Sequence, residues 1–129
     1  MSVNVPDNLY STKADYAYYK AYSSYMLHNN DASSLLIEYI DKYPLHVNVN
    51  LAKFFIGNNY FWSKNYKKSI DYYNEAIGLK PDYADAYYNR ALVYFEIGDK
   101  NAGCRDVQKA CELGNCATMR SAVSQGMCR

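Results

Sequence analysis

Long apolar runs, proline and an excess of either charge are all scarce in this chain. No stretch approaches the roughly 20 apolar residues that a membrane-spanning helix requires, so insertion into a bilayer is not expected. Lys and Arg number 14 against 13 Asp and Glu, a formal net charge of +1. Without a basic excess there is no electrostatic footprint for nucleic acid, and without an acidic block there is no solvating tail. Three prolines beside 50% hydrophobic residues describe a globular chain rather than a disordered one. The two histidines, His28 and His46, each stand near an expected turn without a ligand-spaced neighbour. Phosphate-binding glycine loops, H-E-x-x-H, G-x-S-x-G and C-x-x-C are missing. No metal, cofactor or catalytic residue is therefore expected. Asp71, Glu75, Asp82 and Asp85 read as scattered helix-surface or capping acids, not as a catalytic pair.

Residues 1–10 hold Asn4, Pro6, Asp7 and Asn8 but no charged head followed by an apolar core. This is expected to be a flexible arm and not a signal peptide. The expected compartment is the cytoplasm, or the periplasm or exterior if the chain is a trimmed form. Four cysteines, Cys104, Cys111, Cys116 and Cys128, crowd the last quarter at spacings of 7, 5 and 12, which match no zinc pattern well. Two disulfides and four reduced thiols both fit this placement. Cys104 and Cys111 lie roughly 10 Å apart on one helix, too far to bond each other, so a bridge would have to join that helix to the next. The preference of small apolar cysteine for helix seams favours buried free thiols.

What the chain does have is tyrosine, 16 in all, and a repeat. Shifting the sequence by 34 lays Gly57 on Ala91, Tyr60 on Tyr94, Ala76 on Ala110, Leu79 on Leu113 and Asn48 on Asp82. A period of that length marks stacked helix–turn–helix units, each of which leaves an apolar face that only a neighbour can bury. Tyrosine suits so thin a structure, packing its ring while its hydroxyl reaches water.

A first helix is expected from Ser11 or Thr12, with Tyr16, Tyr19, Tyr22, Ser23, Met26 and Leu27 at helical steps. Asn29–Asp31 supplies a turn and a cap, and the next helix carries Leu35, Leu36, Tyr39, Ile40 and Tyr43 before Pro44 closes it. From an Asn48 cap, a third helix runs through Ala52, Phe55, Ile56 and Tyr60. Ser63–Asn65 makes its turn, and Tyr66, Ile70, Tyr73, Ala76 and Ile77 return. Asp82 is expected to cap the fifth helix, Gly98-Asp99 to turn it, and Cys104, Val107, Ala110 and Cys111 to line the sixth. Gly114-Asn115 is a helix stop. Ala117, Met119, Val123 and Met127 leave material for one last capping helix. Gly57 and Ala91 are expected where the two helices of a hairpin cross, with Ser69 and Gly103 at the matching place on the second helices.

These residues resemble the tetratricopeptide repeat (TPR) family. The stretch Ala84–Gly98, with Ala84, Tyr87, Ala91, Tyr94 and Gly98, and the ending Ala76–Pro81 follow its signature of alternating small and aromatic residues with a closing proline. The likeness is strong over 48–115 and weaker over 16–44, where Lys42 takes a small residue's place and Pro44 comes three residues early. Ala110–Asn115 is similar to the C-terminal repeats of small bacterial TPR proteins. The resemblance implies an all-α, right-handed superhelix of three hairpins, at about 14–47, 48–81 and 82–115, with a capping helix at 116–127 inside a domain spanning 11–129. It also implies a non-catalytic scaffold that holds a peptide or partner helix in a concave groove.

Projecting the first helices, the face not used for packing carries Leu51, Phe54, Asn58, Phe61 and Trp62, then Asp85, Tyr88, Asn89, Leu92 and Phe95. Exposed aromatic and apolar groups suit anchor recognition, and Asn58 and Asn89 suit the ligand backbone. The final helix, the N-terminal arm or a twin subunit would cover the same residues equally well. Family members that clamp acidic chaperone tails use Lys and Asn on one helix, Asn on the next, and Lys and Arg on a third. Asn58 and Asn89 match, but Phe54 stands at the first cation's place, with Lys53 one residue out of register, and Met119 and Val123 stand at the other two. A clamp without cations lacks its charge-assisted bonds, so an acidic tail is not the expected ligand. A secretion-type chaperone for a disordered client, and a module that stacks copies through the open end near Tyr16–Tyr25, are the alternatives.

Overall fold

A computed structural model describes residues 12–128, which are all-α. The helices are α1 (Lys13–Met26), α2 (Ala32–Lys42), α3 (Val49–Trp62), α4 (Tyr66–Leu79), α5 (Ala84–Glu96), α6 (Lys100–Glu112) and α7 (Ala117–Ser124). The arm expected over residues 1–10 lies outside the described residues. No helix among them is long and apolar enough to cross a membrane.

Local chemistry sets the ends. The Thr12 hydroxyl accepts from the Asp15 N–H at 3.0 Å and starts α1. Asn65 and Asp99 cap α4 and α6 in the same way. Two expected caps differ. The Asp31 carboxylate does not cap α2; it accepts from the Ser24 hydroxyl and pins the α1–α2 turn. Asp82 falls one residue short, because the N-cap position of α5 is Tyr83. The turns after α1, α3, α5 and α6 share one geometry, a left-handed residue whose N–H and that of its successor bond back into the last helical turn. Gly98 and Gly114 take that place after α5 and α6, but His28 (φ 55°) and Lys64 (φ 63°) take it after α1 and α3.

The described chain divides into two compact units, with the boundary between Ile56 and Gly57 inside α3. In the first unit α1 packs against α2 around buried Tyr18, Ala21, Tyr25, Leu36 and Tyr39. The Phe55 ring stacks on Tyr25 at 4.4 Å. His46 has partners that its place in the sequence did not reveal. Its Nε2–H donates to Asp15 Oδ1 at 2.8 Å, and its Nδ1 accepts the Tyr39 hydroxyl. Tyr39 is only 1% exposed. Burial pushes its hydroxyl up to about 12, the Asn48 backbone N–H partly offsets this, and the charge of Asp15 adds to it.

In the second unit the repeat is visible as packing. A Cβ on Gly57 would lie 2.6 Å from Cε1 of Tyr73, whose ring fills the crossing of α3 and α4. Thirty-four residues on, Ala91 and Val107 fill the same crossing of α5 and α6, both fully buried. Ser69 donates to the Gly57 carbonyl at 2.8 Å, while a Cβ on its counterpart Gly103 would meet Phe95 Cδ1 at 2.7 Å. Across α5 and α6 the Arg90 guanidinium forks onto both oxygens of Asp106 at 2.7 Å and donates to Asn74 of α4 at 2.7 Å. Burial alone would lower the Arg90 pKa, but the hydrogen bonds and charge of Asp106 outweigh it and the net shift is upward.

The cysteines are not free thiols as expected. Cys104 pairs with Cys128 and Cys111 with Cys116. The seam that favours a buried thiol also brings Cys128, after α7, onto Cys104 of α6, so the pair closes. Cys128 joins Ala91, Val107 and Ala122 in a core cluster against which Cys104 and Met127 pack. A bridge between residues 24 apart contributes roughly 3–4 kcal/mol by restricting the unfolded chain.

Three expectations follow for stability, read by urea unfolding. Gly57→Leu should cost about 1–3 kcal/mol or more by overpacking against Tyr73, whereas Gly78→Ala, with open space around it, should gain about 0.5–1 kcal/mol. Asp106→Ala should cost about 3–5 kcal/mol because it strands a mostly buried guanidinium, and the double change Arg90→Met with Asp106→Leu should cost much less. Between pH 10 and about 12 folded Tyr39 keeps a proton that the unfolded chain has lost, so its contribution falls as pH rises. By pH 12 that loss amounts to roughly 2–3 kcal/mol, and a Tyr39→Phe variant should lack it.

Candidate partner-binding site

The ten residues of the expected recognition face divide between the two units. Leu51 and Phe54, on the first half of α3, are half-buried in the first unit, with Phe54 beside the Phe55 ring at 6.0 Å. The other eight lie in the second unit. Trp62 is 54% exposed at the end of α3, and the Phe61 ring lies 6.1 Å from Tyr66. Asp85 is exposed in the first turn of α5, where an acid opposes the helix dipole favourably.

Tyr88, Leu92 and Phe95 recur at i, i+4 and i+7 along α5 and are brought together. With Ala117, Ser121, Ala122, Gln125 and Met127 they line a cavity of about 330 Å³ between α5 and α7. No residue of that lining carries a formal charge. Its size is within the range of ligand-binding clefts. Part of the face is thus walled by the chain's own last helix. Phe95 has a second duty, as the wedge over Gly103 and a packing partner of the α7 cluster.

Asn58 departs from its expected place. It is only 7% exposed, and its Oδ1 accepts from the Tyr73 hydroxyl at 2.5 Å and from Asn89 Nδ2 at 2.8 Å. Its carbonyl is spent inside the protein because Tyr73, wedged at Gly57, brings a buried hydroxyl that must find an acceptor. Asn89 is half-buried, with its amide held by Asn58, while its own carbonyl oxygen has no donor among the described residues. The pair is one fixed unit, with Asn58 as support and Asn89 as the outer member.

Several residues that shape the site were not singled out by pattern. Ser121 and Gln125 enter through α7, and Asp106 orients α5 through Arg90. The one available signal is a break in the repeat, since Arg90 and Asp106 stand where the preceding unit has Ile56 and Tyr72. A second concavity, about 570 Å³, lies between α1 and α2 in the first unit, lined by Tyr16, Ala17, Leu35, Tyr39 and Tyr43 with three lysines.

Residues 57–98 match the family model described as TPR repeat, and residues 84–113 the one described as Tetratricopeptide repeat. Over 57 residues the chain is 40% identical to the Hsp70-Hsp90 organizing protein of Triticum aestivum and 38% identical to serine/threonine-protein phosphatase 5 of Homo sapiens. Each alignment takes in 44% of this chain but only 10% and 11% of those proteins, so the chain spans a small part of its curated relatives. The first TPR of Spaghetti (RPAP3), solved bound to the HSP90 peptide SRMEEVD, superposes with a TM-score of 0.76 at 18% identity, covering 98% of both chains. The crystal structure of MamA does so at 0.70 and 23%, covering 79% of this chain and 58% of its own. At these identities the likeness to solved structures is one of fold. Two matched repeat models, the 34-residue period and the recurring small–large crossings agree: residues 57–113 are built of tetratricopeptide repeats.

Proposed function

We propose that this chain is a non-catalytic scaffold that holds a peptide or partner helix against α5. The observation that carries this reading is the uncharged cavity between α5 and α7, lined by Tyr88, Leu92 and Phe95. Tyr88 and Leu92 act as the apolar anchor site, where burial of a partner side chain supplies most of the affinity. Asn89, held by Asn58, accepts a backbone N–H of the ligand through its carbonyl oxygen and sets the ligand's direction. Phe61, Trp62 and Asp85 contribute in the same unit. The name of the wheat relative and the bound peptide of the RPAP3 structure supply the class of partner, another protein's segment.

An acidic chaperone tail is not the proposed ligand. Met119, at one of the places the family resemblance gives to a cation, packs on the core cluster of α5, α6 and α7. Val123 stands at another. Recognition through this cavity is therefore apolar and only weakly dependent on salt.

The test is affinity capture on the immobilised chain, followed by measured binding of the captured partner. The wild type and an exposed α4 control, Lys67→Ala, should retain it alike. Tyr88→Ala with Leu92→Ala should weaken binding by about a hundredfold, as loss of two anchors does. Raising salt from about 50 to about 500 mM should change affinity by less than about threefold. Undiminished binding by the double variant, or SRMEEVD binding that collapses with salt, would overturn the reading.

A further inference from the structure

The two disulfides sit in unlike surroundings. Cys104–Cys128 joins the core through Cys128, only 9% exposed among Ala91, Val107 and Ala122, with the half-buried Cys104 packed against that cluster. Cys111–Cys116 has no part in that cluster. It spans the turn at Gly114, from the last turn of α6 to the N-cap position of α7. Both of its cysteines are half-buried, and both line a separate cavity of about 390 Å³ with Met119, Arg120, Val123 and Ser124.

The two sulfurs of this bridge also differ electrostatically. Cys111 lies at the carbonyl end of α6, where the helix dipole disfavours an anion. Cys116 lies at the amide end of α7, where the dipole favours one, and Arg120, a turn further along, shares its cavity. The Cys116 Sγ also lies 3.3 Å from the Cys111 carbonyl oxygen, so it is the α7 amide end and the Arg120 charge, set against that one carbonyl, that place a thiolate on Cys116 rather than on Cys111. Exchange is faster when the departing sulfur is the better-stabilised anion.

We propose that Cys111–Cys116 is a thiol-exchange site for a small-molecule thiol, with Cys111 attacked and Cys116 leaving. The thiol first loses its proton to water. Its thiolate then bonds to Cys111 Sγ as the Cys111–Cys116 bond breaks, and the electron pair departs on Cys116 Sγ. A second thiolate attacks the sulfur of the first, forms the small symmetrical disulfide and releases Cys111 as a thiolate. Two small thiols are oxidised and one protein disulfide is reduced, so two electrons pass to the chain. Cys104–Cys128, with Cys128 packed in the core, opens only at a higher thiol concentration. This site is independent of the α5–α7 cavity and of the partner assigned to it.

The test uses the full chain and reduced glutathione at graded concentrations, with acid quenching, iodoacetamide alkylation and peptide mapping by mass spectrometry. Cys111–Cys116 should open at a glutathione concentration about tenfold below that which opens Cys104–Cys128. Glutathione should be found on Cys111 and the alkyl group on Cys116, with the far-UV circular dichroism unchanged. Arg120→Ala, an exposed position, should slow adduct formation by about threefold. Opening of Cys104–Cys128 first, opening of both bridges together, or an adduct on Cys116 would overturn the proposal.

Discussion

How near two paired helices come in the second unit is limited by what each presents at a single crossing point. At one crossing the limit is set by Gly57 under the Tyr73 ring, and at the next by Ala91 against Val107. The slot is the same and the volumes trade. Where one helix gives up its side chain entirely, the other brings an aromatic; where the first keeps a methyl, the second shrinks to valine. Close-packed interiors tolerate such exchange because total volume is what they conserve. The crossing in turn places the outward residues of α5. Phe95 leans over Gly103, and Tyr88 and Leu92 precede it along the same face.

Polar pins secure what packing brings near. Tyr73 carries a hydroxyl into the interior and obliges Asn58 to receive it, and Asn58 then holds Asn89. In the first unit Tyr39 imposes the same demand, met by His46 and through it by Asp15. In both units an aromatic at the same repeat position is both filler and donor. Its hydrogen bond is a consequence of the packing, and costly to leave unmade. Polar residues beside these tyrosines are therefore drawn inward, although side-chain chemistry alone would assign them to the surface.

This explains what could and could not be read from the chain. Helix number, hairpin order and the small residues at the crossings follow from periodicity, because a backbone approach that excludes a Cβ leaves a glycine or alanine behind. Asn58 could not be placed the same way. Helical projection puts it on the open face, and only the reach of a tyrosine fifteen residues later turns it inward. Asp31 and Asp82 look like caps by composition, but Ser24 claims one and the turn after Pro81 runs one residue longer than the other requires. His28 and Lys64 occupy left-handed turns that glycine would advertise, and nothing local distinguishes them. The cysteines were seen to be close in sequence, but which of them meet depends on the path of α7. That Tyr88, Leu92 and Phe95 share one face of α5 follows from spacing, whereas the wall facing them, drawn from Ser121, Gln125 and Met127, follows from where that last helix docks.

Arg90 reaches Asn74 on one helix and Asp106 on another, and so stitches three successive helices through one guanidinium. Repeat proteins are often treated as interchangeable bricks that can be deleted, duplicated or traded between chains. Here the brick boundary runs through a fork of hydrogen bonds. A chimera that joined this chain's last hairpin to a foreign predecessor would inherit a cation whose partner Asn74 had been left behind, so the natural unit of transplantation is α4 together with α5 and α6.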